Sequence, residues 1–175
     1  VVYLTGFEQD PPPDVPVIAQ RNKTFLPDLL VIVAGQSVRF TNEDTFLHNV
    51  FSTSKARPFD LGKPGPGEAR EVRFSHPGVV ELYCNIHETM SATILVLPNR
   101  AFARVDAQGR FRIQDIPPGT YSLFVWGRQL VPSSRKVTVQ EGAPLDVVLP
   151  VARRPYQPAH LDKFGRPYRH RAGYP

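Results

Sequence analysis

The stretch Val79-Val80-Glu81-Leu82-Tyr83-Cys84, continued by Asn85-Ile86-His87-Glu88-Thr89-Met90, decides how this chain reads. Its first half alternates. Val80, Leu82 and Cys84 fall on one side of an extended segment, as a half-buried β-strand requires. Its second half has no strand period and instead places a thiolate, an imidazole and a thioether at spacing C-x2-H-x2-M. Strand alternation would send Cys84 and His87 to opposite faces, whereas a loop can wrap all three side chains around one point. The pattern predicts a strand ending at Cys84, a ligand-bearing loop, and a closing strand over residues 93–97.

Taken singly, these residues are ordinary: a lone Cys at a strand end commonly packs as a small hydrophobe, and a lone Met fills core space. Here the only Cys and the only Met of the chain flank a histidine. Thiolate and imidazole suit zinc or copper, and a thioether favours copper. Two imidazoles and a thiolate with a weak axial thioether form the blue, electron-transfer type of copper site. The second imidazole must come from His48, His76, His160 or His170. His76 stands before Pro77-Gly78 in a tight turn, and His160 and His170 lie near the C-terminus. His48, opening a short extended run over 48–53, is the best candidate. The expected ligand set is His48, Cys84, His87 and Met90, around one copper ion. A catalytic Cys–His pair would lack an evident oxyanion site and leave Met90 unexplained.

Outward from this stretch the chain reads as all-β. Nineteen prolines and twelve glycines separate short runs rich in Val, Phe, Leu and Tyr, with no amphipathic helical period longer than two turns. Strands are expected over 1–8, 17–20, 29–33, 37–41, 71–74 and 79–84, with a turn at Gly35-Gln36 between two of them and an irregular loop over 55–68. After Pro98-Asn99 the pattern restarts. A hairpin of 102–105 with 111–113 leads through Pro117-Pro118-Gly119 into a buried run at 121–126, then strands at 136–139 and 145–149. The expected division is 1–97, 98–150 and a tail, 151–175.

That tail carries six cations against Asp162 alone, which accounts for the whole net charge of +5 and leaves the rest of the chain balanced. It has the composition of an extended segment. It can be a solubilising end. It can bind nucleic acid, although it has no base-reading motif. Or it can lie along an acidic or aromatic-accepting partner, with Arg and Tyr as anchors. No apolar run is long enough to cross a bilayer. Val1 is not an initiator Met, so the expectation is a removed leader or, as the alternative, an artificial start of the sequence.

Several motifs in order resemble the cupredoxins, the amicyanin and plastocyanin branch in particular. They are Gly35-Gln36-Ser37-Val38-Arg39-Phe40-Thr41-Asn42, then His48-Asn49-Val50, Pro77-Gly78, and Cys84 to Met90. The two-and-two spacing is similar to amicyanin; the His–Met gap of plastocyanin is longer. Amicyanin-like loops carry proline beside the ligand histidine, where this chain has Ile86 and Glu88, so a more mobile loop is expected, with a negative charge near the imidazole. Residues 98–150, through Asp106-Ala107-Gln108-Gly109, Phe111-Arg112-Ile113 and Asp115 to Tyr121, resemble the carboxypeptidase regulatory-like or transthyretin-like β-sandwich. The tandem is similar to bacterial proteins called methylamine-utilisation or plastocyanin-like. The implied fold class is a cupredoxin Greek-key β-sandwich, a small second β-sandwich and an extended basic tail.

The resemblance further implies that His87 lies near the surface within an apolar ring, for which Ile86, Phe46, Leu47 and Phe59 are the candidates. Asn42 and Asn49 would bridge the ligand loops by side-chain hydrogen bonds. The expected function is one-electron transfer between extracytoplasmic, for instance periplasmic, redox partners such as a cytochrome or dehydrogenase. The second domain and tail would dock the chain into a larger complex. Alternatives are an accessory subunit in which copper is dispensable, and a copper carrier. An enzyme with a second, catalytic copper would need more histidines than remain near the site.

Overall fold

The computed structural model describes residues 1–155 and 160–168; His170 lies outside them. The strands β1 (Val2–Thr5), β2 (Val17–Arg21), β3 (Thr24–Leu26), β4 (Leu29–Val33), β5 (Ser37–Asn42), β6 (Phe51–Ser52), β7 (Phe59–Asp60) and β8 (Ala69–Arg73) come first. They are followed by β9 (Gly78–Tyr83), β10 (Ser91–Leu97), β11 (Phe102–Ala103), β12 (Gly119–Val125), β13 (Leu130–Val131), β14 (Ser133–Val139) and β15 (Ala152–Arg153). No helix occurs among the described residues, and the all-β expectation holds.

The chain divides into two compact units, one of them Pro12–Val96 with residues 160–168, the other Val1–Pro11 with residues 97–155. The first is built of two sheets, ordered β4-β10-β9-β6-β7 and β3-β2-β5-β8. Alternation decides what each strand contributes to its core. From β5 come Val38 and Phe40, from β9 Val80 and Leu82, joined by Ile18, Phe74 and Ile94, all fully buried. Burying a side chain of this size contributes roughly 1.5–3 kcal/mol.

The turn at Gly35 does not make the hairpin that flanking strands suggest. Gly35 adopts φ of 100°, and the chain passes there from one sheet to the other. The sequence of β4, Leu-Leu-Val-Ile-Val, has no alternation with which to register against β5. That strand instead pairs in parallel with β2, Ile18 opposite Phe40. A true two-residue hairpin joins β2 to β3. Its turn residues Asn22 and Lys23 have φ of 52° and 56°, the left-handed pair that matches strand twist.

In the second unit the central sheet runs β11-β1-β12-β14. β1 pairs with β12, Val2 opposite Val125 and Leu4 opposite Leu123, and with β11, Val2 opposite Ala103. Val2 and Leu4 therefore share a core with Ala101, Leu123, Val125 and Val137. This corrects the division expected at 97/98, because the first eleven residues complete the second sandwich. The hairpin expected of 102–105 with 111–113 does not form, and β11 pairs with β1 instead. Residues 111–113 and 145–149 are not strands, although Phe111, Ile113, Val147 and Leu149 pack against that core. The tail is corrected as well, since residues 160–168 group with the first unit.

Candidate metal centre

His48 is placed by the loop that leaves β5. Asn42, the last residue of that strand, donates through Nδ2 to the carbonyls of Phe46 (2.8 Å) and Pro64 (3.1 Å), and its Oδ1 accepts the N–H of Asp44 at 3.1 Å. The Asp44 carboxylate accepts the N–H of Asn22 at 2.7 Å, that of Lys23 at 3.1 Å, and His48 Nε2–H at 2.7 Å. A left-handed lysine costs about 1–2 kcal/mol, which these bonds offset. Burial opposes charge on Asp44, but its donors outweigh this and hold its carboxyl below the usual range.

A carboxylate can only accept, so in the neutral His48 ring the proton sits on Nε2 and Nδ1 keeps its lone pair. The ring is fully buried, and Nδ1 has no hydrogen-bond partner among the described residues. Burial opposes a charge on His48, yet its interactions with Cys84 and Asp44 raise its pKa.

Cys84 is fully buried just past the end of β9, with Val80 and Leu82 on the same inward face. Its Sγ lies 3.8 Å from His87 Nδ1 and accepts the N–H of Ile86 at 3.4 Å. Burial pushes the thiol up, but His48 and the backbone N–H groups of Asn49, His87 and Ile86 outweigh it and lower its pKa. The thiolate is the form that binds metals.

The ligand atoms of His48, Cys84 and His87 all lie within 4.8 Å of one another. Met90 is fully buried in the same core as Cys84. The loop closes through Met90 N–H to His87 O at 3.1 Å and Cys84 N–H to Met90 O at 3.3 Å. His76 is exposed in its turn and is not part of this group. Two imidazoles and a thiolate suit copper or zinc, and a buried lone pair without a partner is costly. The residues present therefore fit a metal ion.

Around His87, Phe46 stands edge-on, its ring 5.8 Å from that of His87 and 5.0 Å from that of His48. Leu47 is exposed and Ile86 packs against the core. Phe59 is not part of a ring at His87. Pairing of β7 with β6 aims it at Phe40 and Phe74, 5.8 and 6.1 Å away. The expectation for Asn49 also changes. Its side chain donates to Asp60 Oδ1 at 2.7 Å and to the Gly62 carbonyl, while its backbone N–H reaches the Cys84 sulfur. The Asn42 side chain likewise holds the His48 loop to Pro64 rather than to the Cys84 loop.

Sequence reasoning missed Asp44, whose signal is an acid one helical turn's spacing before the candidate ligand His48. It also missed Asp60, which joins Asn49 to Lys163 through a 2.6 Å ion pair. In the tail it missed Tyr168 and a packing role for His160. Tyr168 OH donates to the Cys84 carbonyl at 2.8 Å, and His160 stacks on Tyr83 at 4.0 Å. No helix of the described residues is long and apolar enough to cross a membrane.

With this geometry in view, similarity to known proteins falls into two parts. A family described as "Polysaccharide lyase family 4, domain II" matches residues 102–147. The chloroplast plastocyanin of Physcomitrium patens is 33% identical over 73 residues, 37% of this chain and 44% of that protein. The chain thus spans less than half the length of this relative. Among solved structures, the copper-containing nitrite reductase of Thermus scotoductus SA-01 is 27% identical with a TM-score of 0.46, covering 54% of this chain and 25% of that one. A purple cupredoxin from Nitrosopumilus maritimus is 24% identical with a TM-score of 0.43, covering 46% and 98%. A reduced amicyanin variant is 15% identical with a TM-score of 0.45, covering 54% and 97%. Over 73 residues the chain is thus similar to a plastocyanin, and residues 102–147 match a different family.

Proposed function

We propose that the chain is a one-electron carrier in which His48, Cys84, His87 and Met90 hold a single type 1 copper ion. The observation that carries this reading is His48 Nδ1, buried and without a hydrogen-bond partner among the described residues, in a ring that Asp44 holds beside Cys84. Bound there, copper would supply a one-electron couple between its cuprous and cupric states.

The chain's own residues prepare for that role. Three backbone N–H groups and His48 favour the Cys84 thiolate, and Asp44 fixes the His48 tautomer. Met90 supplies the thioether from within the core. With four protein donors there is no open place for a substrate, which favours electron transfer over catalysis. A core that is close-packed on the side of Cys84 resists rearrangement between oxidation states. Half-buried His87, edge-on to Phe46, is the route toward redox protein partners, and an extracytoplasmic location suits such a carrier.

The test is addition of copper(II) to the purified chain. An intense thiolate-to-copper absorption in the visible, a narrow parallel hyperfine splitting in EPR and reversible one-electron reduction are expected. A colourless adduct would sink the electron-transfer reading. Rapid surrender of the copper to an acceptor protein would favour a carrier of copper over a carrier of electrons.

A further inference from the structure

We propose that the tail segment of residues 160–168 is an intramolecular brace for the loop from Cys84 to Met90, with Tyr168 and His160 as positioning residues for the copper ligands. The part concerning copper rests on the reading above; the bracing of the loop does not.

The loop has no proline between Cys84 and Met90 and two main-chain bonds of its own. The tail adds three more, each beside a ligand. Tyr168 OH donates to the carbonyl of Cys84 at 2.8 Å. The N–H of Lys163 donates to Asn85 Oδ1 at 2.9 Å. His160 Nε2–H donates to the carbonyl of Glu88, the residue after His87, at 2.6 Å. The His160 ring stacks on Tyr83 at 4.0 Å and meets Tyr168 edge-on at 5.2 Å, so both donors are held by ring packing.

The segment also reaches the loop that carries His48. Lys163 Nζ pairs with Asp60 at 2.6 Å, and Asp60 accepts Asn49 Nδ2–H at 2.7 Å, next to His48. Its own shape is built locally. Asp162 Oδ1 accepts the N–H groups of Phe164 and Arg166 at 2.9 and 2.8 Å, and Asp162 N–H donates to the Arg166 carbonyl at 2.8 Å. Such a preformed turn loses little further freedom when it closes on the loop. Two tail cations thus have anionic partners within their own unit, Lys163 with Asp60 and Arg166 with Asp162.

The experiment compares the full chain with Tyr168→Phe, which keeps the ring and loses the donor. It adds His160→Ala, and His160→Gln, whose amide restores one. Amide hydrogen exchange of residues 85–89 is read in the copper-free chain. Copper release to excess chelator and the parallel hyperfine splitting are read in the loaded chain. Tyr168→Phe and His160→Ala should speed exchange and release by about threefold to tenfold, the effect of one hydrogen bond, and should shift the splitting. His160→Gln should recover part of the loss. Exchange at wild-type rates in both variants would overturn the brace. Faster exchange with unchanged release and splitting would overturn the assignment of positioning roles toward copper. A wild-type chain that gave no blue species would defeat the copper reading, while exchange would still decide the brace.

Discussion

The carboxylate of Asp44 accepts the Nε2–H of His48 at 2.7 Å, and the same carboxylate holds the backbone of the Asn22–Lys23 turn. One side chain therefore couples a strand hairpin to the tautomer of a proposed ligand. Fixing the proton on Nε2 leaves Nδ1 as the lone pair in the buried centre, and partners of this kind govern ligand basicity and orientation.

Replacing Asp44 by Ala should weaken copper binding about 10- to 100-fold, measured by competition with a chelator of known affinity. The copper-free chain should also lose about 1–3 kcal/mol of stability, because the buried His48 Nε2–H loses its acceptor. Unchanged copper affinity beside a lowered stability would reduce Asp44 to a turn residue.

Met90 shares the core with Cys84, so its sulfur and its volume can be separated. Met90→Leu keeps nearly the same volume and should change the unfolding free energy by less than about 1.5 kcal/mol. Loss of an axial thioether should nevertheless move the reduction potential, because that ligand tunes it. Voltammetry decides: an unmoved potential would make Met90 core filler only.

How far the sequence anticipates these features follows from how local they are. The inward set Val80, Leu82 and Cys84, and the loop after them, depend on alternation and spacing within a dozen residues, and were legible. His48 was reached by elimination and family resemblance, since nothing adjacent to it encodes its meeting with Cys84. Asp44 was not legible. Its role depends on the left-handed turn at Asn22 and Lys23, a contact between segments some twenty residues apart. Phe59 sits in an irregular Pro/Gly-rich loop, where no period announces which way a two-residue strand will aim it. β1 reads as an ordinary first strand, and only pairing with β12, across more than a hundred residues, assigns it to the second sandwich. The composition of the tail signals charge and little else. Its packing lies in individual donors, Tyr168, Lys163 and His160, that a composition average cannot separate.

Asp60 ties the stability of the first unit to pH. Burial opposes its charge, but Lys163, Asn49 and the N–H of Gly62 outweigh this and lower its pKa from the ordinary 3.8. A carboxyl whose folded pKa lies below its unfolded one adds stability above the unfolded value and loses it as pH falls through the folded value. The copper-free chain should therefore lose stability below about pH 4, and Asp60→Asn should flatten part of that fall. Urea unfolding between about pH 3 and pH 5 measures the difference. An Asp60→Asn chain with the wild-type pH slope would show that the carboxylate gains nothing from Lys163.

Assignment of the first eleven residues to the second sandwich predicts where damage at Leu4 should appear. Leu4 is 4% exposed, stands opposite Leu123 on β12 and packs with Val2, Val125 and Val137. Leu4→Ala removes buried methyl groups and leaves a cavity, at a cost of about 2–5 kcal/mol. Two probes separate the units. Trp126, the only tryptophan, lies directly after β12 and is bonded through its N–H to the Val1 carbonyl at 2.9 Å. The proposed copper band belongs to the unit of Cys84. In a thermal scan, Leu4→Ala should lower the midpoint read by Trp126 fluorescence well before that read by the copper band. A domain limit at residue 97, with β1 in the copper-binding unit, predicts the reverse: the copper band would fall first, and the Trp126 signal would hold.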